Sequence, residues 1–324
     1  MSPEITVIVP AYNAEKYLAD CLESVIRQSL NSWEILIADD GSSDRTGEIA
    51  DGYASKDFGI KVIHTARQGV SAARNACIEA AEGRYLAFVD ADDILEPDYL
   101  KELFDKAEES GADIVQCSFF VVAGGNKTLD PNPVDKTYED KDSLMRAFFA
   151  GTHGDIRDSV WAKLFRRESF ADIRFDTGLS IYEDGYYVYQ CLRKAGKAVC
   201  FGKPLYHYVK HGNSTTNSCL DEKYEGYFSM FDKLKEEFAD DGFIRKRIAC
   251  REAETALWLM RIMVGNGNKK TVWNLRRRAV RASGDVIWSQ APFSIRMKLI
   301  GVTVMPHIYF AMLKGRKEQE NEKI

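Results

Sequence analysis

The chain has 324 residues, 45% of them hydrophobic and 29% charged, which is typical of a globular protein with a sizeable core and excludes a disordered chain. Seven cysteines without a CxxC pair exclude the common zinc and thiol-redox motifs, and their odd number without a signal peptide indicates a reducing cytoplasm. The net charge of −5 hides an asymmetry, because residues 245–324 carry 17 Lys and Arg against 6 Asp and Glu. This basic end predicts a partner of its own, and no nucleic acid is expected among the partners.

Strands and helices alternate in the predicted structure from the N-terminus to residue 90. Strands are predicted at residues 5–9, 35–38, 61–64 and 85–89, and helices at residues 15–30, 46–54 and 71–82. This alternation predicts an α/β fold with a parallel sheet between two helical layers. Ligands of such sheets bind at the carboxyl ends of the strands, where polar clusters occur at residues 11–13, 39–40, 67–68 and 90–92.

Three carboxylates crowd the end of the fourth predicted strand, at Asp90, Asp92 and Asp93. Their mutual repulsion is explained if a divalent cation binds there through oxygen ligands. If the strand continued through this segment, Asp90 and Asp92 would point to the same side of the sheet. A helix start before Pro97 explains the same residues, so both interpretations stay open at this point.

The second half of the chain begins with further α/β elements and ends in helices. Helices are predicted at residues 97–110 and 183–194, strands at 114–122, 199–201 and 205–209, and a loop at 123–140, which is rich in Gly, Pro, Asn and Asp. After about residue 220 the pattern is helical and increasingly basic. The predicted division is an α/β domain over residues 1–215 and a helical region over residues 216–324.

The usual phosphate-binding loops are absent from the sequence, since no GxGxxG follows the first strand and no GxxxxGK[ST] occurs. A nucleotide can still be held by a carboxylate and an aromatic ring. Asp40 could accept a hydrogen bond from the imide N–H of a base, and Tyr12 could stack on that base. A turn with a helix N-cap explains residues 39–42 as well, and both interpretations can hold together.

Four motifs occur together along the first hundred residues: VIVPAYN at residues 7–13, EILIADDGSSD at 34–44, GVSAARN at 69–75 and FVDADD at 88–93. In this combination the chain resembles the family 2 glycosyltransferases, over roughly residues 3–210. The resemblance implies a GT-A fold, a nucleotide-sugar donor with a UDP-sugar favoured, Mn²⁺ or Mg²⁺, and inversion at the anomeric carbon. It also implies a nucleotide-binding half over residues 1–95 and an acceptor half with the catalytic base over residues 96–215.

The resemblance implies a donor site formed by Pro10, Ala11, Tyr12, Asp40, Gln68, Arg74, Asp90 and Ala91. The first four of these would line the nucleoside pocket, and the next two belong to the segment that closes over the donor. Asp90 and Asp92 match the DxD motif, whose carboxylates hold the metal against the diphosphate. Asp93 would instead cap or orient the segment that leads to Pro97.

The general base of the family is the Asp of a Glu–Asp pair that opens a later helix, and Glu183 with Asp184 matches this pair. The resemblance therefore implies that Asp184 takes the proton from the acceptor hydroxyl. Without the resemblance, the pair is explained as an acidic helix start that complements the helix dipole. Lys163 lies in another recurrent element of the family, and its role stays open.

An apolar stretch at residues 299–313 interrupts the basic end of the chain, with Pro306 inside it and basic residues on both sides. It is too short to span a membrane and predicts a helix at an anionic membrane surface over residues 294–317. The protein would then be cytoplasmic and peripheral on the inner face of the cell membrane, in keeping with a saccharide or lipid-linked acceptor and a role in cell-surface polysaccharide synthesis. Packing on the catalytic domain and a homodimer contact are the alternatives.

Two other functions compete with sugar transfer. A phosphohydrolase of the haloacid dehalogenase type also places an Asp-x-Asp after an apolar strand, but on its first strand and with Thr or Val where Ile94 stands here. A membrane-associated binding protein without activity would have no need for the intact carboxylates at Asp40, Asp90, Asp92 and Asp184.

Overall fold

The computed structural model describes residues 2–56, 59–150, 155–179, 181–211, 220–264, 269–286 and 293–321. The chain divides into two compact units, and each is described by itself. The first unit comprises Met1–Phe148 with Asp155–Ser214, and the second comprises Phe149–Gly154 with Thr215–Ile324.

The first unit is built on one mixed sheet, which has ten strands within the described residues. In chain order they are β1 (Ile5–Ala11), β2 (Trp33–Asp39), β3 (Ile60–His64), β4 (Tyr85–Phe88), β5 (Ile94–Leu95), β6 (Ile114–Ala123), β7 (Asn126–Leu129), β8 (Lys136–Tyr138), β9 (Lys163–Arg166) and β10 (Ala198–Lys210). The main path across the sheet is β3-β2-β1-β4-β9-β6-β10-β5, while β7 pairs with β6 and β8 with β10.

The first four strands are parallel, as their alternation with helices predicts. β1 pairs with β2 and β4, and β2 pairs with β3, while α1 (Leu18–Ile26), α2 (Thr46–Ala54) and α3 (Val70–Ala80) connect them. Both faces of β1 are buried except at Pro10, and its one polar side chain, Thr6, donates a hydrogen bond to Glu34; this is the pattern of a strand covered by helices on each side. Consequently the carboxyl ends of β1, β2 and β4 open at one edge of the sheet.

The sheet is antiparallel where its two halves join, because β9 lies between β4 and β6 and is antiparallel to both. Beyond it, β6 and β10 are parallel. Residues 199–201 and 205–209 are strand as predicted, but they are joined in the single strand β10. Its register shifts on both sides of Pro204, which has no N–H to donate to the ladder.

The prediction of an irregular loop over residues 123–140 is also wrong, because β7 and β8 lie within it. β6 and β7 form a hairpin whose two connecting residues are Gly124 and Gly125, with φ of 55° and 81°. A two-residue hairpin turn needs such positive φ values, and glycine adopts them without strain. The pair of glycines was therefore a turn signal between two strands.

The helices of the second half of this unit are α4 (Tyr99–Ser110), α5 (Lys141–Phe149) and α6 (Glu183–Lys194). Helix α4 packs against β6, β9 and β10 through its buried apolar stripe, which includes Tyr99, Leu100 and Leu103. It ends at Gly111, whose φ of 66° is the left-handed conformation common after helices. Helix α6 carries Asp184 in its first turn.

The second unit is helical within the described residues, with α7 (Leu220–Glu237), α8 (Gly242–Val264), α9 (Lys269–Val286), α10 (Phe293–Val304) and α11 (Pro306–Asn321). The predicted helix over residues 294–317 is two helices in the structure, because α10 ends at Val304 and Pro306 begins α11. Proline suits this first position, where its missing N–H leaves no hydrogen bond unmade. None of the helices in the described part of the chain is long and apolar enough to cross a membrane.

Candidate active site

The loops that follow β1 and β2 are fastened together by Asn13. Its backbone N–H donates to the Ser42 hydroxyl at 3.0 Å, and its side-chain oxygen accepts from the Ser43 N–H at 2.9 Å. Asn13 has a φ of 49°, a left-handed conformation that Asn tolerates better than most residues. Sequence reasoning gave Asn13 no role, although it lies at the end of the first motif.

The carboxylate of Asp40 organises the loop after β3. It accepts hydrogen bonds from the backbone N–H groups of Gln68 and Gly69, both at 2.8 Å, and from the Thr65 hydroxyl at 3.1 Å. Asp40 is buried, and a carboxylate can accept about four such bonds, so one acceptor position remains. The turn interpretation holds for neighbouring Asp39, which accepts from the Ser42 N–H at 3.1 Å.

Tyr12, which follows β1, and Arg67, in the loop after β3, contact each other near Asp40. The Tyr12 ring is 38% exposed, and the Arg67 guanidinium lies 4.4 Å from its centroid, a cation–π contact. Ala11 is buried at the end of β1, where its carbonyl accepts from the Asp40 N–H at 2.9 Å. The Gln68 side chain is exposed, so its backbone N–H alone joins this network.

The acidic segment after β4 is a turn, because β4 ends at Phe88 and the Asp93 N–H donates to the Asp90 carbonyl at 3.0 Å. The expectation that strand alternation orients Asp90 and Asp92 is therefore wrong. Asp93 is buried and accepts from the Tyr206 hydroxyl at 2.6 Å and the Val209 N–H at 2.8 Å. It anchors the turn to β10 and so orients the segment that leads to Pro97, whereas the N-cap position of α4 is Asp98.

Arg74 of α3 connects three carboxylates that lie far apart in the sequence. Its buried guanidinium is 3.1 Å from Asp90, 3.2 Å from Glu183 and 2.5 Å from Asp184. Burial opposes the positive charge, yet Asp184, Asp90 and Glu183 together raise the pKa of Arg74 above its ordinary value. Asp90, which the sequence predicts as a metal ligand, and Asp184, which it predicts as the base, therefore both contact the guanidinium of Arg74.

Asp184 lies in the first turn of α6, directly after Tyr182 and Glu183. Tyr182 precedes the helix in a left-handed conformation with a φ of 65°. Burial, followed by the like charges of Glu183 and Asp90, raises the pKa of Asp184 to about 7, against the lowering effect of Arg74. A carboxylate with a pKa near the working pH is suited to accept a proton.

The loop that precedes β9 faces Asp184. The Val160 N–H lies 3.5 Å from the second carboxylate oxygen of Asp184, which is a long contact. The carbonyl of the same peptide unit, that of Ser159, accepts from the Lys163 ammonium at 2.6 Å. Lys163 is completely buried, and burial lowers its pKa to about 8. The structure thus places Lys163 one peptide unit away from Asp184.

His211 lies beside the acidic turn, and sequence reasoning gave it no firm role. Its ring stacks on Tyr17 with 4.1 Å between centroids, and its Nε2 is 3.5 Å from the nearer oxygen of Asp92. That nitrogen is buried and makes no hydrogen bond to any residue of the described chain. Burial and the charge of Asp90 raise the pKa of Asp92, while His211 opposes this shift.

A carboxylate and an unpartnered imidazole nitrogen fit a divalent cation such as Mn²⁺. Among the described residues, no group of three His, Cys, Asp or Glu side chains is arranged to hold a metal ion by itself. The protein ligands would therefore need oxygens from a bound diphosphate or water to complete the coordination. A lone His outside any motif gave the sequence no signal for this role.

Comparison with known proteins decides the family. Residues 6–174, just over half of the chain, match the model of glycosyl transferase family 2. The chain belongs to glycosyltransferase family 2. It is 36% identical over 220 residues to the uncharacterized glycosyltransferase EpsJ of Bacillus subtilis, a match that covers 67% of this chain and 64% of EpsJ. The predictions of this family and of a glycosyltransferase are confirmed, against the haloacid dehalogenase alternative.

Solved structures support the fold of this glycosyltransferase. TarS of Staphylococcus aureus in complex with UDP has a TM-score of 0.66 at 20% identity and covers 98% of this chain and 92% of its own. The Pyrobaculum calidifontis mannosyltransferase PcManGT, in complex with GDP-Man and Mn²⁺, has a TM-score of 0.51 at 15% identity, covering 97% of this chain and 85% of its own. The predicted GT-A fold, with a mixed sheet flanked by helices, is confirmed.

Proposed function

We propose that this glycosyltransferase moves a sugar with inversion from a nucleotide sugar, favouring a UDP-sugar, to a hydroxyl of a saccharide or lipid-linked acceptor. The observation that carries the proposal is the Arg74 contact with both Asp90 and Asp184, which brings the DxD turn and the start of α6 together. Inversion needs a base and a donor diphosphate at one sugar carbon. A role in cell-surface polysaccharide synthesis, from the family resemblance, belongs to the same proposal.

The nucleoside would lie between Tyr12 and the remaining acceptor position of Asp40. A uracil offers an imide N–H to that oxygen, whereas Tyr12 offers an exposed ring for stacking. Pro10 and Ala11, at the end of β1, would line the nucleoside pocket, and the exposed side chain of Gln68 would close over the donor with its loop. TarS was crystallised with UDP, which supports a uridine nucleotide.

Asp184 would accept the proton of the attacking hydroxyl. Its pKa of about 7 means that a large fraction of the carboxylate is ionised at neutral pH, and that the carboxylate can hold the proton once it has accepted it. Arg74 would hold the ionised carboxylate in place, and the Val160 N–H would face its second oxygen. A divalent cation held by Asp92 and His211, with diphosphate or water oxygens as its other ligands, would neutralise negative charge on the diphosphate. Asp90, the other predicted metal ligand, contacts Arg74 and would have to turn towards the cation to bind it. PcManGT, crystallised with GDP-Man and Mn²⁺, supports such a cation.

The metal assignment predicts a loss of metal-dependent nucleotide binding in His211→Ala. The wild-type protein should bind UDP more tightly with Mn²⁺ than with EDTA, and His211→Ala should lose about 10- to 100-fold of the Mn²⁺-dependent affinity in titration calorimetry. His207→Ala is the matched control, because His207 pairs with Glu96 at 2.7 Å and has no proposed ligand role. Equal affinity of both variants for UDP with Mn²⁺ would refute the role of His211.

We also propose that the enzyme is cytoplasmic and works peripherally on the inner face of the cell membrane. Large apolar side chains are exposed along α10, at its junction with α11 and on α11, at Met297, Ile300, Val304, Met305, Ile308 and Met312. Met297, Ile300 and Val304 lie on one face of α10, whereas Leu299 and Val302 are buried on the opposite face. We call the six exposed residues the apolar face.

Charge favours an anionic membrane as the occupant of the apolar face. Lys298 is exposed beside it, and between residues 269 and 317 the sequence has a single acidic residue, Asp285. The predicted basic flank beyond α10 includes Lys314, Arg316 and Lys317, whose side chains lie outside the described residues. An apolar strip among cations inserts below the headgroups while the cations attract anionic lipid.

Vesicle pelleting tests this surface with Met297→Ser/Val304→Ser/Ile308→Ser. The triple variant should lose at least about tenfold in partitioning to anionic vesicles, because it removes apolar area that inserts into the bilayer. Leu129→Ser/Phe243→Ser is the matched control, since both side chains are exposed elsewhere. Equal pelleting of the two variants would exclude the membrane surface, and a homodimer dissociated by the triple substitution would assign the face to a second copy.

A further inference from the structure

A groove lies between α7 and α9 in the helical unit, which is separate from the residues proposed for catalysis. Its volume is about 470 Å³, and it opens to solvent. Both helices also pack against α8. The residues on its walls that matter here are Phe228, Asp232, Asn274, Arg277, Arg278 and Arg281.

Four of these side chains come from one face of α9. Asn274, Arg277, Arg278 and Arg281 are spaced at i, i+3, i+4 and i+7, so they project from the same side of the helix over two turns. Three guanidinium groups and one amide therefore line one wall. All of these groups donate hydrogen bonds, and guanidinium groups cannot accept them.

The innermost of the three arginines is fixed by carboxylates. Arg278 is 2.7 Å from one oxygen of Asp232 and 2.8 Å from the other, in the two-pronged arrangement that guanidinium favours. It is also 3.3 Å from Glu252, a buried residue of α8 that pairs with Lys235 of α7. This network holds α7, α8 and α9 together and defines the shape of the groove.

Arg277 and Arg281 are different, because neither has a carboxylate partner among the described residues. Both are exposed and stand four residues apart, a spacing at which like charges destabilise a helix. Asp232 and Glu252 are already engaged by Arg278. Asp285 follows Arg281 by four residues, and its side chain lies outside the described residues. Within the described part of the chain, the groove therefore has two positive charges without a carboxylate partner next to a fixed third one.

We propose that this groove binds a phosphate-bearing anion through Arg277 and Arg281, with Asn274 as a further donor. Phosphate oxygens match the planar fork of guanidinium, and two neighbouring forks match a group with two negative charges. A volume of about 470 Å³ accommodates a diphosphate or a lipid headgroup. The site goes beyond the proposed sugar transfer, because its binding needs neither the nucleotide sugar nor the metal.

Titration calorimetry of the full chain with inorganic diphosphate in EDTA tests the site. Arg277→Gln/Arg281→Gln should weaken binding by at least about tenfold, since two charge-assisted contacts are lost. Lys269→Gln/Lys270→Gln is the matched control, because it removes the same charge from exposed positions of the same helix outside the groove. This control should bind diphosphate within about threefold of the wild type.

Absence of diphosphate binding by the wild type, or an equal loss in both double variants, would overturn the proposal and leave only general attraction to a basic helix. Arg277→Lys/Arg281→Lys controls for misfolding, because it keeps both positive charges and removes only the planar guanidinium groups. It should bind diphosphate with an affinity between those of the wild type and Arg277→Gln/Arg281→Gln. Vesicles containing phosphatidic acid distinguish the source of the phosphate. If these vesicles compete with diphosphate, and the competition depends on Arg277 and Arg281, the natural ligand is a lipid headgroup. If diphosphate binds through the same two arginines and the vesicles do not compete, the natural ligand is a soluble phosphate.

Discussion

Asp184→Asn is expected to lower kcat for sugar transfer by about 10²- to 10⁴-fold while leaving the affinity for UDP nearly unchanged. Asparagine keeps the size of the side chain but cannot accept the proton of the acceptor hydroxyl. The measurement is UDP release with acceptor present, paired with calorimetric titration of UDP. Substantial turnover in this variant would contradict the assignment of Asp184 as the base.

Glu183→Gln is the control for Asp184→Asn, because Glu183 also contacts Arg74, at 3.2 Å, and precedes Asp184 in the same helical turn. It should lose much less activity, since its role is to share the charge of Arg74. The dependence of kcat on pH is a second test of Asp184 as the base. Asp184 is a base only when ionised, so wild-type kcat should rise with pH through a pKa of about 7 and level off above it.

Arg74→Gln is expected to destabilise the first unit by about 3–5 kcal/mol, because it leaves Asp90, Glu183 and Asp184 facing one another without their shared cation. Removing the positive charge also raises the pKa of Asp184 further, so the acidic limb of the pH profile should move to higher pH. Denaturant unfolding followed by circular dichroism measures the first effect, and kcat against pH the second.

Arg84→Gln is the matched control for Arg74, since Arg84 also pairs with two carboxylates, Glu4 and Glu108, but with its side chain 51% exposed. Solvent screens those pairs, so the loss there should not exceed about 1 kcal/mol. The double variant Arg74→Gln/Asp184→Asn should regain part of the stability lost by Arg74→Gln, because one uncompensated carboxylate is gone. Equal losses of unfolding free energy in Arg74→Gln and Arg84→Gln would show that the buried network of Arg74 stabilises the protein no more than exposed ion pairs do.

The elements near the N-terminus were predictable because their signals are local. Apolar runs and helical spacing are properties of neighbouring residues, and parallel order follows from their alternation. The same reasoning predicts that the carboxyl ends of β1, β2 and β4 lie at one edge of the sheet, because neighbouring parallel strands run in the same direction. This is why Tyr12, Asp40 and Asp90 could be assigned from the sequence to the same edge of the sheet.

The contacts that complete the site were not predictable, because they join distant parts of the chain. Arg74 meets Asp184 across 110 residues, and Asp93 meets Tyr206 across 113. No periodicity reports such pairs, and β9 enters the sheet between β4 and β6 without a local signal for its antiparallel direction. His211 is a further case, since a single His has no spacing that marks it as a neighbour of Asp92.

The most direct test of the central claim is UDP release from a panel of UDP-sugars, measured for the wild type and for Asp184→Asn with Mn²⁺ or with EDTA. Transfer from a nucleotide sugar with Asp184 as the base predicts that at least one donor yields UDP with the wild type and Mn²⁺. That release should fall by about 10²-fold or more in Asp184→Asn and should be lost in EDTA. Release of UDP at the same rate by Asp184→Asn, or by the wild type in EDTA, would contradict the proposed site.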